Sequence, residues 1–292
     1  MEDRQTGVTS WKLDRLKDAI YGLAVGDALG VPYEFRPRDS FHCMNMVGGG
    51  THGQSAGTWS DDTSLTLATL DELIRDNWKI NPVSLRIGFK EWLYDGAYAI
   101  DGKVFDVGMT VRTALFESKG LDGIMDNGNG SLMRILPLAF VKNVTDEDID
   151  ATSSVTHAHE ISCRACRTYV HVAQALLNDE PLDDILIRES KDWLKQTDRR
   201  VIKSGGYVED TLHAALWCLI NSGDYRSAVA TAVNLGGDTD TTAAVTGGLA
   251  GIIYGKKSIP MEWLDSLRGK GIVNKEIQLA FKASKANTEI EC

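Results

Sequence analysis

The sequence predicts an all-α fold. Apolar residues recur at helical spacing in segments that short polar breaks separate, and long alternating strand patterns are scarce. No repeat, low-complexity tract or linker rich in proline or serine divides the 292 residues. We therefore expect one domain over residues 1–292, with a motif-bearing core at about 11–256.

The first three helices are predicted from apolar spacing and from capping signals. Residues 11–30 carry Leu13, Leu16 and Ile20 at helical spacing. A second helix opens near Ser60, with leucines at positions 67, 70 and 73 on one face. Asn81 followed by Pro82 is typical of an N-cap and a first helical residue. The later apolar residues of this third helix are expected to be buried: Phe89, Trp92 and Leu93.

Further helix starts follow along the chain. Thr145 with Asp148 three residues on resembles a capping box that uses Asp in place of Glu. Pro181 and Pro260 each indicate another helix start. The glycines of TGGLAG, residues 246–251, are expected to permit close helix packing because they lack side chains.

Composition excludes several classes of function. Acidic residues number 41 against 31 Lys and Arg, for a net charge of -10, so affinity for nucleic acid or an anionic membrane is not expected. No apolar run approaches the roughly 20 residues of a membrane-spanning helix. The polar N-terminus MEDRQTGVTS lacks a signal-peptide core. The five cysteines form no disulfide framework. These features predict a cytoplasmic protein with reduced thiols.

Two short segments concentrate carboxylates where loops enter helices: TWSDDT at 58–63 and GGDTDTT at 236–242. Helix capping would explain one acceptor in each, but each offers two carboxylates and several hydroxyls. Adjacent buried carboxylates repel unless a positive charge lies between them. If the segments meet, their oxygen ligands suit Mg²⁺ or Mn²⁺. A shared carboxylate could bridge two ions about 3.5–4 Å apart.

Five motifs together resemble the ADP-ribosylglycohydrolase family, which includes dinitrogenase-reductase-activating glycohydrolases and ADP-ribosyl-acceptor hydrolases. They occur in the family's order across residues 22–255: GLAVGDALGVPYEF, GTWSDDTSLTLATLDEL, NGNGSLMRILPLAF, THAHEISCRA and NLGGDTDTTAAVTGGLAGIIYG. The resemblance implies a compact orthogonal helical bundle with a binuclear site at helix N-termini, holding two Mg²⁺ or Mn²⁺ ions.

The resemblance also assigns roles by position. The implied metal ligands are Ser60, Asp61, Asp62, Asp238, Asp240 and Thr241. Among them Asp240 would bridge both ions, and either Asp61 or Asp62 would orient or deprotonate the attacking water. The implied substrate-binding residues are Glu34, Asn129, Gly130, Ser131, Met133, His157 and Gly236.

Several of these residues also have simpler interpretations. The glycine-rich loop 127–131 would let backbone N–H groups approach a diphosphate or ribose, aided by a helix N-terminus, but such loops are commonly only turns. His157 could be a cap or packing residue, and Glu34 a solvated loop acid. Asp27 is expected to be a buried hydrogen-bonding residue rather than a catalytic one. Cys163 and Cys166 lack partners to complete a zinc site and fit a buried helix face.

The implied function is hydrolysis of the glycosidic bond between ADP-ribose and an acceptor, with arginine of a modified protein preferred. The charge of -10 and Glu34 would favour a cationic guanidinium at the site, whereas a serine linkage is neutral. A two-metal phosphoesterase is an alternative enzyme. A different class is a non-catalytic immunity or regulatory protein that binds an ADP-ribosyltransferase toxin or an ADP-ribosylated partner.

Overall fold

The computed structural model describes residues 10–290, with side chains placed over residues 13–284. Residues 1–9 of the polar N-terminus and Cys292 lie outside the described residues. Twelve α-helices and no β-strand occur in this part of the chain, so the predicted all-α class is confirmed. The α-helices are α1 (Ser10–Gly30), α2 (Asp61–Arg75), α3 (Pro82–Asp95), α4 (Met109–Glu117), α5 (Asp146–Ser153), α6 (Glu160–Leu177), α7 (Leu182–Arg188), α8 (Val208–Ile220), α9 (Tyr225–Val233), α10 (Thr239–Tyr254), α11 (Met261–Ser266) and α12 (Lys270–Ile290).

The second and third helices begin where the capping signals predicted. The hydroxyl of Ser60 accepts from the backbone N–H of Asp62, two residues on, and so caps α2. The side chain of Asn81 caps α3 by accepting from Val83 N at 3.1 Å. Phe89 and Trp92 are buried as predicted. Leu93 is only partly buried, because it lines a surface groove between α3 and α4.

The later helix starts also agree with the sequence. Thr145 and Asp148 form the predicted capping box, in which Asp148 N donates to Thr145 Oγ1 at 3.3 Å and Thr145 N donates back to Asp148 Oδ2 at 3.0 Å. The two other predicted starts lie one residue before α7 and α11, at Pro181 and Pro260. Within the described residues no helix combines the length and apolar character needed to cross a membrane.

Helices α1 and α10 pack backbone against backbone at the centre of the core. A Cβ added at Gly22 would lie 2.2 Å from the carbonyl oxygen of Gly247, and one at Gly26 would lie 2.1 Å from that of Ala243. Contacts this short exclude any side chain, so the close packing predicted for residues 246–251 is confirmed. The α1 glycines recur every fourth residue, which keeps them on one helix face.

This packing brings the end of α1 to the start of α10. A Cβ at Gly30 would lie 2.3 Å from the Cα of Asp240, and the hydroxyl of Thr239 donates to the Gly30 carbonyl oxygen at 2.8 Å. Asp27, one turn earlier on α1, then reaches the start of α2 as well. The two acidic segments predicted from sequence therefore meet at one end of the α1 and α10 pair.

Candidate functional site

Asp27 joins the end of α1 to the beginning of α2. Its carboxylate is fully buried and accepts from the backbone N–H and hydroxyl of Ser60 at 2.8 and 2.9 Å, and from those of Thr63 at 2.9 and 2.6 Å. Burial raises the pKa of Asp27 to about 6, although these four hydrogen bonds oppose the rise. The predicted role as a buried hydrogen-bonding residue is confirmed.

The two acids that begin α2 face different surroundings. Asp62 is fully buried, and its Oδ2 lies 3.0 Å from Ser60 Oγ and 3.3 Å from Thr241 Oγ1. Its other oxygen, Oδ1, is buried and has no hydrogen-bond partner in the structure. Asp61 instead lines an open cleft with 6% of its surface exposed. Of this pair, only Asp61 lines the cleft.

The acids at the start of α10 are not used as helix caps. Asp238 occupies the N-cap position, yet its side chain makes no capping hydrogen bond. Its Oδ2 accepts from the amide of Asn129 at 2.8 Å, and its Oδ1 is buried without a partner. Asp240 accepts from Thr241 N at 2.9 Å through Oδ1, while its buried Oδ2 is also unpartnered. The capping explanation therefore does not account for this segment.

Carboxylate oxygens from both segments converge. One group within 4.8 Å of one another comprises Asp27, Asp62 and Asp240, and a second comprises Glu34, Asp238 and Asp240. Asp240 belongs to both groups. Burial, followed by the neighbouring carboxylates, raises the pKa of Asp62 and Asp240 well above the usual range.

This donor set fits a hard divalent cation. Within these two groups three buried carboxylate oxygens lack partners, one each on Asp62, Asp238 and Asp240. A buried unpaired acceptor is costly unless something satisfies it. The two groups contain only oxygen donors, which Mg²⁺ and Mn²⁺ prefer. A bound cation would satisfy these oxygens and offset the repulsion between them.

Glu34 is buried at 3% exposure, so it is not a solvated loop acid. Its side chain contacts His52 Nε2, and Thr51 Oγ1 donates to its backbone oxygen at 2.8 Å. The next residue, Phe35, donates from its backbone N–H to the Gly237 carbonyl oxygen at 2.7 Å, which ties this loop to the acidic segment before α10. Burial raises the pKa of Glu34 to about 10, with Asp106 and Asp238 the largest charged contributors.

Two residues of this region were not predicted from sequence. His52 and Asp106 lie with Glu34 in a third group of candidate metal-ligating atoms. Asp106 also lines the cleft. Each is a single titratable residue within a loop, without the doubled carboxylates that distinguish the two acidic segments. His52 lies in the glycine-rich segment GGGTHG at residues 48–53, a composition that indicates a loop and does not identify a ligand.

The cleft gathers most of the predicted residues and is lined by acids. Asn129, Gly130, Met133 and His157 lie along it together with Asp61. Its charged lining consists of the following carboxylates: Glu34, Asp61, Asp106 and Asp238. Within the described residues no lysine or arginine lines this cleft.

The glycine-rich loop is placed at the cleft, but the helix predicted after it differs. Asn129 N donates to the Gly206 carbonyl oxygen at 3.0 Å, and the Asn129 side chain bridges Thr211 and Asp238. The apolar run that follows forms two short 3-10 helices, at 132–134 and 136–140, instead of an α-helix. Pro137 lacks the N–H that would continue the first of these. No α-helix therefore begins directly after this loop to add the positive electrostatic potential that was expected there.

Two other predicted substrate residues lie outside the cleft lining. Ser131 is fully buried, and its hydroxyl accepts from Ser153 Oγ at 3.0 Å. Gly236 has a positive φ of 73°, and a Cβ there would lie 2.5 Å from Arg38 N. The contact of both residues with substrate stays a prediction.

His157 and the nearby cysteines have separate surroundings. His157 is buried at 1% exposure and faces the cleft, whereas the N-cap of α6 is His159, which accepts from Ile161 N at 3.2 Å. Cys163 and Cys166 are buried on α6, as the sequence predicted. No candidate metal-ligating group among the described residues contains a cysteine.

An all-α bundle with unpaired, buried carboxylate oxygens beside an acidic cleft defines a candidate metal-dependent hydrolase. The sequence profile of the ADP-ribosylglycohydrolase family matches residues 9–288. The ADP-ribosylarginine hydrolase Tri1 of Pseudomonas putida (strain GB-1) is 33% identical over 96% of this chain and 81% of its own length. The ADP-ribosyl-[dinitrogen reductase] glycohydrolase of Rhodospirillum rubrum is 30% identical over 91% of this chain and 93% of its own.

A solved structure agrees with the sequence comparisons. The chain described as an ADP-ribosylglycohydrolase-related protein complex superposes with a TM-score of 0.79 at 28% identity, covering 94% of this chain and 99% of that one. The chain belongs to the ADP-ribosylglycohydrolase family, as the resemblance indicated, and it is a glycohydrolase.

Proposed function

We propose that the protein removes ADP-ribose from arginine side chains of modified proteins by hydrolysing the N-glycosidic bond. The observation that carries this proposal is a cleft lined by four carboxylates and by no lysine or arginine in the described part of the chain. The two divalent cations proposed below would carry four positive charges, against six negative charges once the following carboxylates are ionised: Glu34, Asp61, Asp62, Asp106, Asp238 and Asp240. The excess negative charge favours a guanidinium electrostatically and gives no comparable gain to a neutral serine ether. The name of the Pseudomonas relative, an ADP-ribosylarginine hydrolase, supports the same linkage.

Two divalent cations, Mg²⁺ or Mn²⁺, are proposed to complete the site. The residues proposed to hold them are Ser60, Asp61, Asp62, Asp238, Asp240 and Thr241, with Glu34 beside them. Asp240 belongs to both carboxylate groups and is therefore the proposed shared ligand. When bound, the cations would supply Lewis acidity to the ribose hydroxyls and the attacking water.

Asp61 is the proposed general base, rather than Asp62. Asp61 lines the cleft, whereas Asp62 is fully buried and directs one oxygen to Ser60 and Thr241. A base must reach the proton that it removes. Burial, followed by the nearby Asp106, raises the pKa of Asp61 when no cation is bound. A bound cation would keep this carboxylate ionised, as a base requires.

The proposed reaction is a single displacement by water. The bond between the anomeric carbon of the ribose and the guanidino nitrogen breaks, and the electron pair leaves with nitrogen. The water oxygen bonds to the anomeric carbon, and Asp61 takes one water proton, which is returned to the leaving guanidine. The products are ADP-ribose and an unmodified arginine side chain.

The remainder of ADP-ribose is proposed to lie along the neutral side of the cleft. Asn129, Gly130, Met133 and His157 line that side and carry no negative charge. Asn129 is held by Thr211 and Asp238 at 2.9 and 2.8 Å, so its orientation is fixed before ligand binds. Both N–H groups of the Asn129 amide and its backbone N–H are already donated within the protein, so its Oδ1 is left to accept from a ribose hydroxyl. The neutral lining spares the diphosphate the repulsion of the acidic side.

Single-turnover release of ADP-ribose from matched peptides tests the linkage. One peptide carries ADP-ribosylarginine and the other ADP-ribosylserine, at equal Mg²⁺ and enzyme excess, with a panel of phosphate esters as an alternative substrate class. We expect faster release from the arginine peptide and no turnover of the esters. A preference for the serine peptide would contradict the electrostatic argument, and turnover of the esters alone would indicate a phosphoesterase.

A further inference from the structure

A buried arginine lies behind the imidazole of His157. The guanidinium of Arg134 is fully buried and pairs with no carboxylate among residues 13–284. It donates to the carbonyl oxygen of Thr152 at 3.3 and 3.4 Å and to the hydroxyl of Thr156 at 2.9 Å, and it stacks on Phe89 with its Cζ 4.3 Å from the ring centre. A buried cation is costly even when hydrogen-bonded, which raises the question of what this one does.

The hydrogen-bond directions around Thr156 follow from what each group can donate. Arginine only donates, so Thr156 Oγ1 accepts from Arg134 and has its own proton left to give. Nδ1 of His157 lies 2.8 Å from Oγ1 and can accept that proton. If Nδ1 carried a proton instead, the Thr156 hydroxyl would have no acceptor within the described residues. When the Thr156 hydroxyl donates to Nδ1, both groups are paired and Nδ1 carries no proton.

The other ring nitrogen faces the cleft. A Cβ built at Gly128 would lie 3.6 Å from Nε2 of His157, and Gly128, Gly130 and His157 all line the cleft. No described residue hydrogen-bonds to Nε2. Burial, assisted by the positive charge of Arg134, lowers the pKa of His157 to about 3, so the ring is neutral under ordinary conditions. A neutral ring carries one proton, on Nδ1 or on Nε2.

We propose that Arg134 and Thr156 are positioning residues that hold His157 in the Nε2–H tautomer, so that the imidazole donates a hydrogen bond to a phosphate oxygen in the cleft. The pair acts through the ring and touches no ligand itself. The choice of phosphate as acceptor rests on the proposed function, whereas the tautomer follows from the protein's own hydrogen bonds.

Nitrogen NMR of the ligand-free protein tests the tautomer directly. In ¹⁵N-histidine-labelled protein the protonated and bare ring nitrogens resonate far apart, and comparison with His157→Gln assigns the signal among the six histidines. We expect His157 to show a protonated Nε2 and a bare Nδ1 at neutral pH. A protonated Nδ1 would overturn the proposal, whatever the enzyme's activity.

Matched variants test the positioning role. Thr156→Val removes the hydroxyl, and Thr156→Ser keeps it. Calorimetry with ADP-ribose and Mg²⁺ should show a Kd about tenfold higher for the valine variant and within about twofold of the wild type for the serine variant. Equal affinities for the two variants, with both folded by thermal unfolding, would refute the positioning role.

Arg134→Met tests the arginine separately, because methionine can fill the buried site without an unpaired charge. Without the guanidinium, Thr156 Oγ1 is free to accept from the ring, so Nδ1–H should become populated in the NMR spectrum. An unchanged tautomer would remove Arg134 from the proposal. If ADP-ribose bound none of these proteins, the proposed function would fail, while the ligand-free spectra would still decide the tautomer.

Discussion

Replacing Asp240 by Asn should stabilise the protein in EDTA and weaken its stabilisation by Mg²⁺. Asp240 lies within 4.8 Å of carboxylate oxygens from two groups, and two charges at that distance repel by about 3.5 kcal/mol at an effective dielectric constant near 20. Burial raises the pKa of Asp240, so the wild type already relieves part of this repulsion by binding a proton. We therefore expect the free energy of unfolding to rise by about 1–3 kcal/mol in EDTA.

Mg²⁺ should stabilise the wild type more than the Asp240→Asn variant, which narrows or reverses the difference seen in EDTA. A cation at about 100 times its Kd stabilises the native state by about 2.7 kcal/mol, and Asp240→Asn should lose most of that gain because it removes the shared ligand. Thermal unfolding at neutral pH, with EDTA and then with Mg²⁺, measures both effects, at about 2–4 °C per kcal/mol for domains near this size.

An exposed aspartate provides the control. Asp192 is exposed and lies outside both carboxylate groups. Asp192→Asn should therefore respond to Mg²⁺ as the wild type does. If Asp240→Asn showed the same Mg²⁺ stabilisation as the wild type, or were less stable than it in EDTA, the reasoning from carboxylate repulsion would be refuted.

Three further outcomes follow. Asp61→Asn should lower the single-turnover rate at least about 100-fold, as expected for loss of a general base; a rate within tenfold of wild type, about 1.4 kcal/mol, would exclude that role. The pKa of His157 is about 3 when folded and about 6.5 when unfolded, so the unfolded state binds the proton first and stability falls as pH drops below about 6.5. By pH 5 this proton uptake lowers the wild type's free energy of unfolding by about 2 kcal/mol. Between pH 7 and pH 5 the His157→Gln variant should therefore lose about 2 kcal/mol less than the wild type, measured by urea unfolding. An equal loss in the two proteins would contradict the lowered pKa of His157. Gly26→Ala places a Cβ 2.1 Å from the Ala243 oxygen and should destabilise by about 1–3 kcal/mol or more, whereas Gly271→Ala on α12, with nothing within 4 Å, should be neutral or stabilising by up to about 1 kcal/mol in the same urea assay.

Local signals predicted the helix starts because each depends on residues close in sequence. Asn81 with Pro82, and Thr145 with Asp148, satisfy backbone groups within their own first turn, and the structure shows those hydrogen bonds. The apolar run after Ser131 was harder to interpret. Its periodicity does not distinguish an α-helix from two 3-10 turns, and the effect of Pro137 depends on the surrounding packing.

The acidic segments could be recognised from sequence because each has more carboxylates than capping requires. Their meeting could not be derived from spacing alone, since it depends on the close approach of α1 and α10 at Gly22 and Gly26. Asp106 and His52 were missed for a related reason. Each is an ordinary loop residue in sequence, and only the fold brings it beside Glu34.

Metal-dependent release of ADP-ribose from an ADP-ribosylarginine protein tests the central claim most directly. The enzyme is stripped of metal, confirmed by elemental analysis, and release is followed by mass spectrometry in EDTA and then with Mg²⁺ or Mn²⁺. We predict no turnover in EDTA, recovery with either cation, and restoration of the unmodified arginine mass. Full turnover by the metal-free enzyme in excess EDTA would contradict the role proposed for the acidic cluster.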